Sequence, residues 1–124
     1  MNFMATLFLI GQIVLGIYFI HAGLNHFRHL EMMTGYAASK KMPSPKLSVV
    51  VSGLMLLLGG LGILFQTQLV WSYGPLVAFL VLAAFMVHPY WKDADAGMKM
   101  ANMVNFQKNL ALAAALFMLL GLQG

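Results

Sequence analysis

Residues 47–87 read LSVVVSGLMLLLGGLGILF, then QTQ, then LVWSYGPLVAFLVLAAFMV: two apolar runs joined by a short polar connection. Each run is about 20 residues long, which is the length that a helix needs to cross the apolar part of a bilayer. A connection as short as Gln66-Thr67-Gln68 allows only a sharp reversal of direction between two helices. This stretch therefore predicts two antiparallel transmembrane helices.

Two further apolar runs, at 3–24 and 110–122, lie on either side of this hairpin. The last run is too short to cross, so its helix must begin near Asn102 or Met103 to reach about 20 residues. The chain is 61% hydrophobic and 8% charged, whereas soluble domains carry about 25% charged residues. We predict an all-α integral membrane protein: a four-helix antiparallel bundle in one domain, residues 1–124, with spans at about 3–24, 47–65, 69–87 and 103–122.

All seven Lys and Arg residues fall in two stretches, 28–46 and 92–108, which the predicted topology places on one side of the membrane. Because basic loops of membrane proteins face the cytoplasm, both termini are expected on the non-cytoplasmic side. The expected location is a cytoplasmic membrane, such as the inner membrane of a bacterium. The net charge of +4 favours contact with anionic lipid headgroups. The sequence has no basic aromatic stripe of the kind that indicates nucleic-acid binding.

Shorter signals predict local structure. The segment 30–36 has the apolar spacing of a short amphipathic helix that lies in the membrane interface. Asp93 and Asp95 are placed either to pair with Lys108 or to cap the fourth helix. Small residues are expected to provide close-packing faces on the second and fourth spans, at Gly53, Gly60, Ala111 and Ala115.

Polar residues recur at helical spacing near the basic end of three predicted spans. Asn102, Asn105 and Asn109 form one stripe on the fourth helix, at positions i, i+3 and i+7. Polar groups that face lipid are costly, so this stripe should face the interior of the bundle. The first span carries the same spacing, and the third ends on a histidine. We predict a ligand-binding polar cluster that opens toward the cytoplasmic interface, formed by Tyr18, His21, Asn25, His88, Asn105, Lys108 and Asn109.

The same residues admit a purely structural interpretation, in which they only hydrogen-bond neighbouring helices at about 0.6 kcal/mol each. Polar positions concentrated at one end, on separate helices, favour a site. Two axial histidines would suit a haem, but the spans contain no carboxylate and the chain contains no Cys, so a metal or haem is disfavoured. A pocket of Tyr, His, Asn and Lys beneath apolar walls suits an amphipathic molecule with polar oxygens. Quinone or quinol fits this description, and a lipid headgroup fits nearly as well.

Three motifs resemble those of the DoxX family of small membrane proteins. The stretch YFIHAGLNHF at 18–27 is similar to the family's first-helix signature, F-x-x-A-G-x-x-K-F, with His26 at the position that is often Lys. HPYW at 88–91 also resembles a family segment, and NFQKNLAL at 105–112 resembles the F-x-K-N-L-A-L opening of helix four. The resemblance implies a four-helix membrane bundle, and it singles out His21, Asn25, His88, Lys108 and Asn109.

The resemblance also implies an association with redox systems, because family members include a membrane subunit of a thiosulfate:quinone oxidoreductase. We expect a quinone-interacting or accessory subunit of a membrane redox system, with membrane lipids, quinone or quinol and redox protein subunits as partners. His21 and His88 are then expected to donate hydrogen bonds or carry protons, and Lys108 to anchor a partially reduced oxygen. The sequence leaves open whether the protein is an enzyme. It also leaves open a second class of function, a non-catalytic structural or assembly factor of a larger membrane complex.

Overall fold

The computed structural model of the chain describes residues 2–122 and is all-α, as the apolar runs predict. The helices are α1 (Phe3–Arg28), α2 (Leu30–Ser39), α3 (Pro45–Phe65), α4 (Leu69–Met86) and α5 (Ala96–Gly121), with a 3-10 turn at Tyr90–Lys92. All but the short α2 are long and apolar enough to cross a membrane. The protein is therefore a four-helix integral membrane protein, and the predicted short helix after the first span is present as α2. Its orientation in the membrane stays a prediction.

The long helices pack in a chain of neighbours. α1 lies against α3, α3 against α4, and α4 against α5, while α2 packs mainly on α3. Within residues 2–122, the backbone of α1 does not come close to that of α4 or α5. Side chains fill the middle of the bundle, where Phe19, Leu56, Leu76, Leu80 and Leu116 belong to one buried cluster. We call the end of the bundle where α1 and α4 finish, and where α3 and α5 begin, the basic end.

Glycines bring α1 and α3 into backbone contact. A Cβ added at Gly23 would lie 2.9 Å from the carbonyl oxygen of Gly53, and one at Gly60 would lie 2.9 Å from that of Gly16. All four glycines are buried. Small residues are the usual device for close helix packing in a membrane, where lipid offers no hydrophobic drive between helices. The predicted packing role of Gly53 and Gly60 is confirmed, and its partners on α1 are Gly16 and Gly23.

The predicted sharp reversal between the second and third spans is confirmed by the left-handed backbone at its two ends. Gln66 has φ 51° and Gln68 has φ 50°, so the chain turns within three residues. The Gln66 amide donates to the carbonyl oxygen of Ile63 at 2.7 Å and to the Tyr73 hydroxyl at 3.3 Å. These bonds hold the turn against both helices that it joins.

The fourth long helix begins at Ala96, earlier than the expected start near Asn102. The reason is a capping interaction, since a carboxylate oxygen of Asp95 accepts a hydrogen bond from the Met98 amide at 2.9 Å. Of the two predicted roles of Asp95, capping is the one found. Neither Asp93 nor Asp95 forms an ion pair with Lys108 in the described part of the chain.

The inward face of α5 differs from the predicted small-residue face. Ala111 and Ala115 are exposed, so they do not form a packing face inside the chain. The buried positions are Asn102, Asn109, Ala113 and Leu116. These follow a spacing of seven, four and three residues, which places them on one side of the helix. The Asn stripe therefore decides which face of α5 points inward, and Ala111 and Ala115 lie away from it.

Gly60→Ala is expected to lower the free energy of unfolding by about 1–3 kcal/mol, because overpacking forces the backbone apart. A Cβ at this position would lie 2.8 Å from the backbone nitrogen of Ile20 in α1. Thermal unfolding of the purified protein in detergent measures the effect. Gly11→Ala is the control, since a Cβ there meets nothing within 4 Å. Equal stability of the two variants would contradict the close approach of α1 to α3.

Cysteine labelling tests the predicted orientation, because the chain contains no natural Cys. Thr67→Cys lies in the turn between α3 and α4, and Lys99→Cys lies at the exposed start of α5. A membrane-impermeant maleimide is expected to label Thr67→Cys in intact cells, and Lys99→Cys only after permeabilisation, because basic loops face the cytoplasm. The opposite labelling pattern would reverse the orientation.

Candidate functional site

A cavity of about 760 Å³ occupies the basic end of the bundle. Its walls come from the second half of α1, the first half of α3, the second half of α4 and the middle of α5, and residues of α2 and the following loop also line it. It lies in the space between α1 and α5, whose backbones do not approach each other in the described chain. Binding sites for small molecules commonly enclose about 300–1,000 Å³, so this cavity has the size of a ligand site.

The walls of the cavity are mainly apolar, and its polar groups are few. Among the apolar residues that line it are Phe19, Met55, Leu56, Phe79, Leu80, Ala83 and Met86. The polar and titratable residues that line it are Tyr18, His26, Tyr36, Ser44, Ser48, Ser52, His88, Lys108 and Asn109. A few polar groups on apolar walls are typical of pockets that orient an amphipathic ligand.

His88 is held by a chain of hydrogen bonds that leads out of the cavity. Its Nδ1 lies 3.1 Å from Oδ1 of Asn102, and Nδ2 of Asn102 donates to a carboxylate oxygen of Asp93 at 2.8 Å. Asn102 is only 6% exposed, so both of its hydrogen bonds are sheltered from water. A sheltered network of this kind fixes the orientation of its members. The loop that precedes α5 therefore positions a histidine of the cavity.

Positive charge dominates the polar part of the cavity. Lys108 lines it, and the charges of Lys108 and Lys40 both act on the His88 ring. Lys40 also lies over the ring of Tyr36, with its Nζ 5.7 Å from the ring centroid. Partial burial, followed by the nearby charge of Asp93, raises the pKa of the Tyr36 hydroxyl above its ordinary value. Tyr36 therefore stays a neutral hydrogen-bond donor at physiological pH.

Asn109 is buried at 6% exposure and lines the cavity. Within residues 2–122 its side-chain amide makes no hydrogen bond, and the polar atoms of this amide are not sealed from open space. A ligand in the cavity could supply a partner. Asn109 is thus a polar group of α5 that is available to a bound molecule, together with Lys108.

The structure brings together four of the residues that the sequence singled out. Tyr18, His88, Lys108 and Asn109 all line the cavity. The other three, His21, Asn25 and Asn105, are not among its lining residues. His21 is exposed, and its Nε2 lies 3.2 Å from the Asn25 amide. Asn105 is half-buried elsewhere on α5. A direct role for these three in binding stays a prediction from the sequence alone.

Sequence reasoning missed His26 and Tyr36 as cavity residues. The predicted first span ends at about residue 24, before His26, but α1 continues to Arg28, and His26 lies on the same face as Phe19 and Ala22. The spacing 19, 22 and 26 is the i, i+3, i+7 pattern, which could have extended the helix. The His26 ring nitrogen Nδ1 lies 2.9 Å from the Ala22 carbonyl oxygen, which it can reach only on a helix. Tyr36 joins the cavity because α2 packs back on α3.

The family model for DoxX matches residues 7–89 of the chain. The chain belongs to the DoxX family. The match begins within α1 and ends just after α4, before α5, so it includes the whole YFIHAGLNHF segment of this DoxX protein but only His88 and Pro89 of HPYW. The resemblance of residues 105–112 to the family lies outside the matched range. Comparison with the curated proteins and with the solved structures gives no significant match.

Asn102→Ala is expected to destabilise this DoxX protein by about 1–3 kcal/mol, because it leaves the partners of a buried amide unpaired. The measurement is thermal unfolding in detergent or lipid nanodiscs. Asn105→Ala is the matched control: it removes the same group from the same helix, where the side chain is only half-buried. Equal stability of the two variants would contradict a role for the hydrogen bonds between His88, Asn102 and Asp93 in holding the basic end together.

Proposed function

We propose that this DoxX protein binds a quinol or quinone of its membrane in the cavity at the basic end, as a quinone-interacting or accessory subunit of a membrane redox system. The observation that carries the proposal is the combination of an apolar cavity of about 760 Å³ with a hydrogen-bonded histidine and a lysine on its wall. A quinone is a flat, largely apolar ring with two oxygens, and a cavity of this composition matches both parts.

The apolar residues are placed to hold the ring and the start of an isoprenoid tail. Phe19 and Leu80 belong to the buried core beneath the cavity, and Phe79 and Met86 of α4 line its wall. Aromatic and Met side chains pack well against a flat ring. Because the backbones of α1 and α5 do not approach each other in the described chain, a tail that leaves the cavity between these two helices would not have to cross a helix.

The polar residues are placed to bind the oxygens. His88 and Lys108 line the same cavity, so both are available to the oxygens of a bound ligand. The Lys108 ammonium would stabilise an oxygen that becomes partly negative as a hydroxyl loses its proton. Neutral Tyr36 and the unpaired amide of Asn109 can donate to the same oxygen or to the other one.

In this proposal, the chain itself supplies the groups that bind the quinol or quinone and a histidine that can accept or donate a proton. In the accessory-subunit proposal, the electrons pass between the bound quinone and a partner protein. The alternative, an assembly factor, predicts sensitivity at the small residues Gly53, Gly60, Ala111 and Ala115. Ala111 and Ala115 are exposed and remain available for contact with a partner, but Gly53 and Gly60 pack inside the chain against α1. Loss of function at Gly53 or Gly60 would therefore accompany misfolding under either proposal, and it does not favour assembly over binding.

Titrations of the purified protein in nanodiscs with a short-chain quinone, and separately with its quinol, test the proposal, with tryptophan fluorescence as the signal. Ser52→Phe should abolish binding, because it fills the cavity from α3. His88→Ala should weaken binding about five- to tenfold, which corresponds to the loss of one hydrogen bond.

Ala111→Phe and His29→Ala are the matched controls, since both residues are exposed and neither lines the cavity. They should leave the dissociation constant unchanged. Absence of saturable binding of both the quinone and the quinol, or the same affinity in all four variants, would remove the proposal.

A further inference from the structure

The hydrogen-bond chain Asp93–Asn102–His88 has a direction, and this direction determines what the cavity offers to a ligand. A carboxylate can only accept hydrogen bonds, so the Asn102 group that faces Asp93 must be its NH₂. The distance from Asn102 Nδ2 to Asp93 Oδ2 is 2.8 Å. The amide of Asn102 is thereby oriented, and its oxygen is the atom that faces His88.

The orientation of Asn102 fixes where the His88 ring carries its proton. Oδ1 of Asn102 lies 3.1 Å from Nδ1 of His88, and an amide oxygen can only accept. Nδ1 must therefore be the protonated nitrogen. In a neutral imidazole the other nitrogen, Nε2, is then an acceptor with a free lone pair. Nε2 has no hydrogen-bond partner among residues 2–122.

We propose that Asp93, acting through Asn102, selects the Nδ1–H tautomer of the neutral His88 ring, so that the cavity selects ligands with a hydroxyl group over matched ethers or carbonyl compounds. The proposal rests on the proposed function, because it assumes that the cavity is a ligand site. His88 would contact the ligand, whereas Asn102 and Asp93 are positioning residues. The predicted ligand class is a phenol or quinol rather than a quinone.

The charged groups around His88 reinforce this selection. Lys108 from α5 and Lys40 after α2 both act on the ring, and both are donors only. A hydroxyl oxygen can donate its hydrogen to Nε2 of His88 and at the same time accept from Lys108. An ether or carbonyl oxygen can accept from Lys108 but cannot donate to Nε2, so the complex has one hydrogen bond fewer.

The tautomer of His88 is measured directly by nitrogen and carbon NMR of isotopically labelled histidines in lipid bilayers at neutral pH. The His88 signals are assigned by their loss in His88→Gln. A neutral ring protonated at Nδ1 is the expected result. A neutral ring protonated at Nε2, or a ring protonated at both nitrogens, would overturn the proposal.

Two loop variants separate the effect of Asp93 from a general change of charge. In Asp93→Asn the Nε2–H form should become populated, because a neutral amide no longer compels Asn102 to present its NH₂ group. Asp95→Asn removes the same charge from the same loop, and its side-chain oxygen can still cap α5. The tautomer should be unchanged in Asp95→Asn. An identical spectrum in Asp93→Asn would overturn the role of Asp93.

The ligand preference is tested with a para-alkylphenol and its methyl ether, which differ only in the hydroxyl hydrogen. In the unmodified protein the phenol should bind about fivefold more tightly, the effect expected of one additional hydrogen bond. Asn102→Leu should reduce this ratio to about one, because the substitution removes the amide that keeps Nε2 of His88 as the acceptor for the additional hydrogen bond. Gln107→Leu, an exposed amide on the same helix, should leave the ratio unchanged.

The outcomes distinguish this inference from the proposed function. Equal binding of the phenol and the ether to the unmodified protein would overturn the selectivity while leaving a ligand site in place. If neither compound bound, and the quinone and quinol titrations also failed, the proposed function and the selectivity would both be overturned. If Asn102→Leu failed to fold, the phenol-to-ether ratio in Asp93→Asn would replace it: a reduced ratio supports the proposal, and an unchanged ratio contradicts it.

Discussion

The close approach of α1 to α3 is the contact on which the rest of the structure depends. Glycines on both helices let the two backbones touch, which lipid alone would not enforce. Because α1 is held against α3 while α5 packs on α4, no helix backbone fills the space between α1 and α5 at the basic end. Side chains close this gap in the middle of the bundle, and the cavity occupies what remains.

The bilayer also limits which polar side chains can line the cavity, because each of them needs a hydrogen-bond partner. Within the spans, an unpaired polar group is costly, so His88 and Asn102 need partners that the apolar helices do not provide. The partner comes from Asp93 in the loop before α5, which lies at the basic end outside the long helices. A residue at the membrane surface thereby organises a residue that lines the cavity. Asp93 thus orients His88 through Asn102, while the charge of the carboxylate stays outside the apolar region.

The sequence predicted most of the fold, because span length and the positions of basic residues are set by the bilayer. It also predicted the inward stripe of α5, since Asn102 and Asn109 are both buried. It did not predict the start of α5, which depends on the Asp95 cap, or the exposure of Ala111 and Ala115, which follows from the Asn stripe.

The candidate site was predicted in part. Periodicity placed Tyr18, His88, Lys108 and Asn109 at one end, and the structure gathers all four around the cavity. Periodicity alone did not distinguish the side of α1 that faces the cavity from the side that carries His21, because both sides have polar residues at helical spacing. The sequence did not predict the hydrogen-bond chain Asp93–Asn102–His88 either, because these bonds depend on how the loop folds back on the helices.

The central claim is that the cavity holds a quinol or quinone of the protein's own membrane. Native mass spectrometry of the protein, extracted gently at its natural expression level, tests this claim most directly. The account predicts a chain of 13.6 kDa, alone or within a larger complex, that carries one tightly held adduct with the mass of a quinol or quinone. A chain that carries no adduct, or only exchangeable phospholipids, would contradict it.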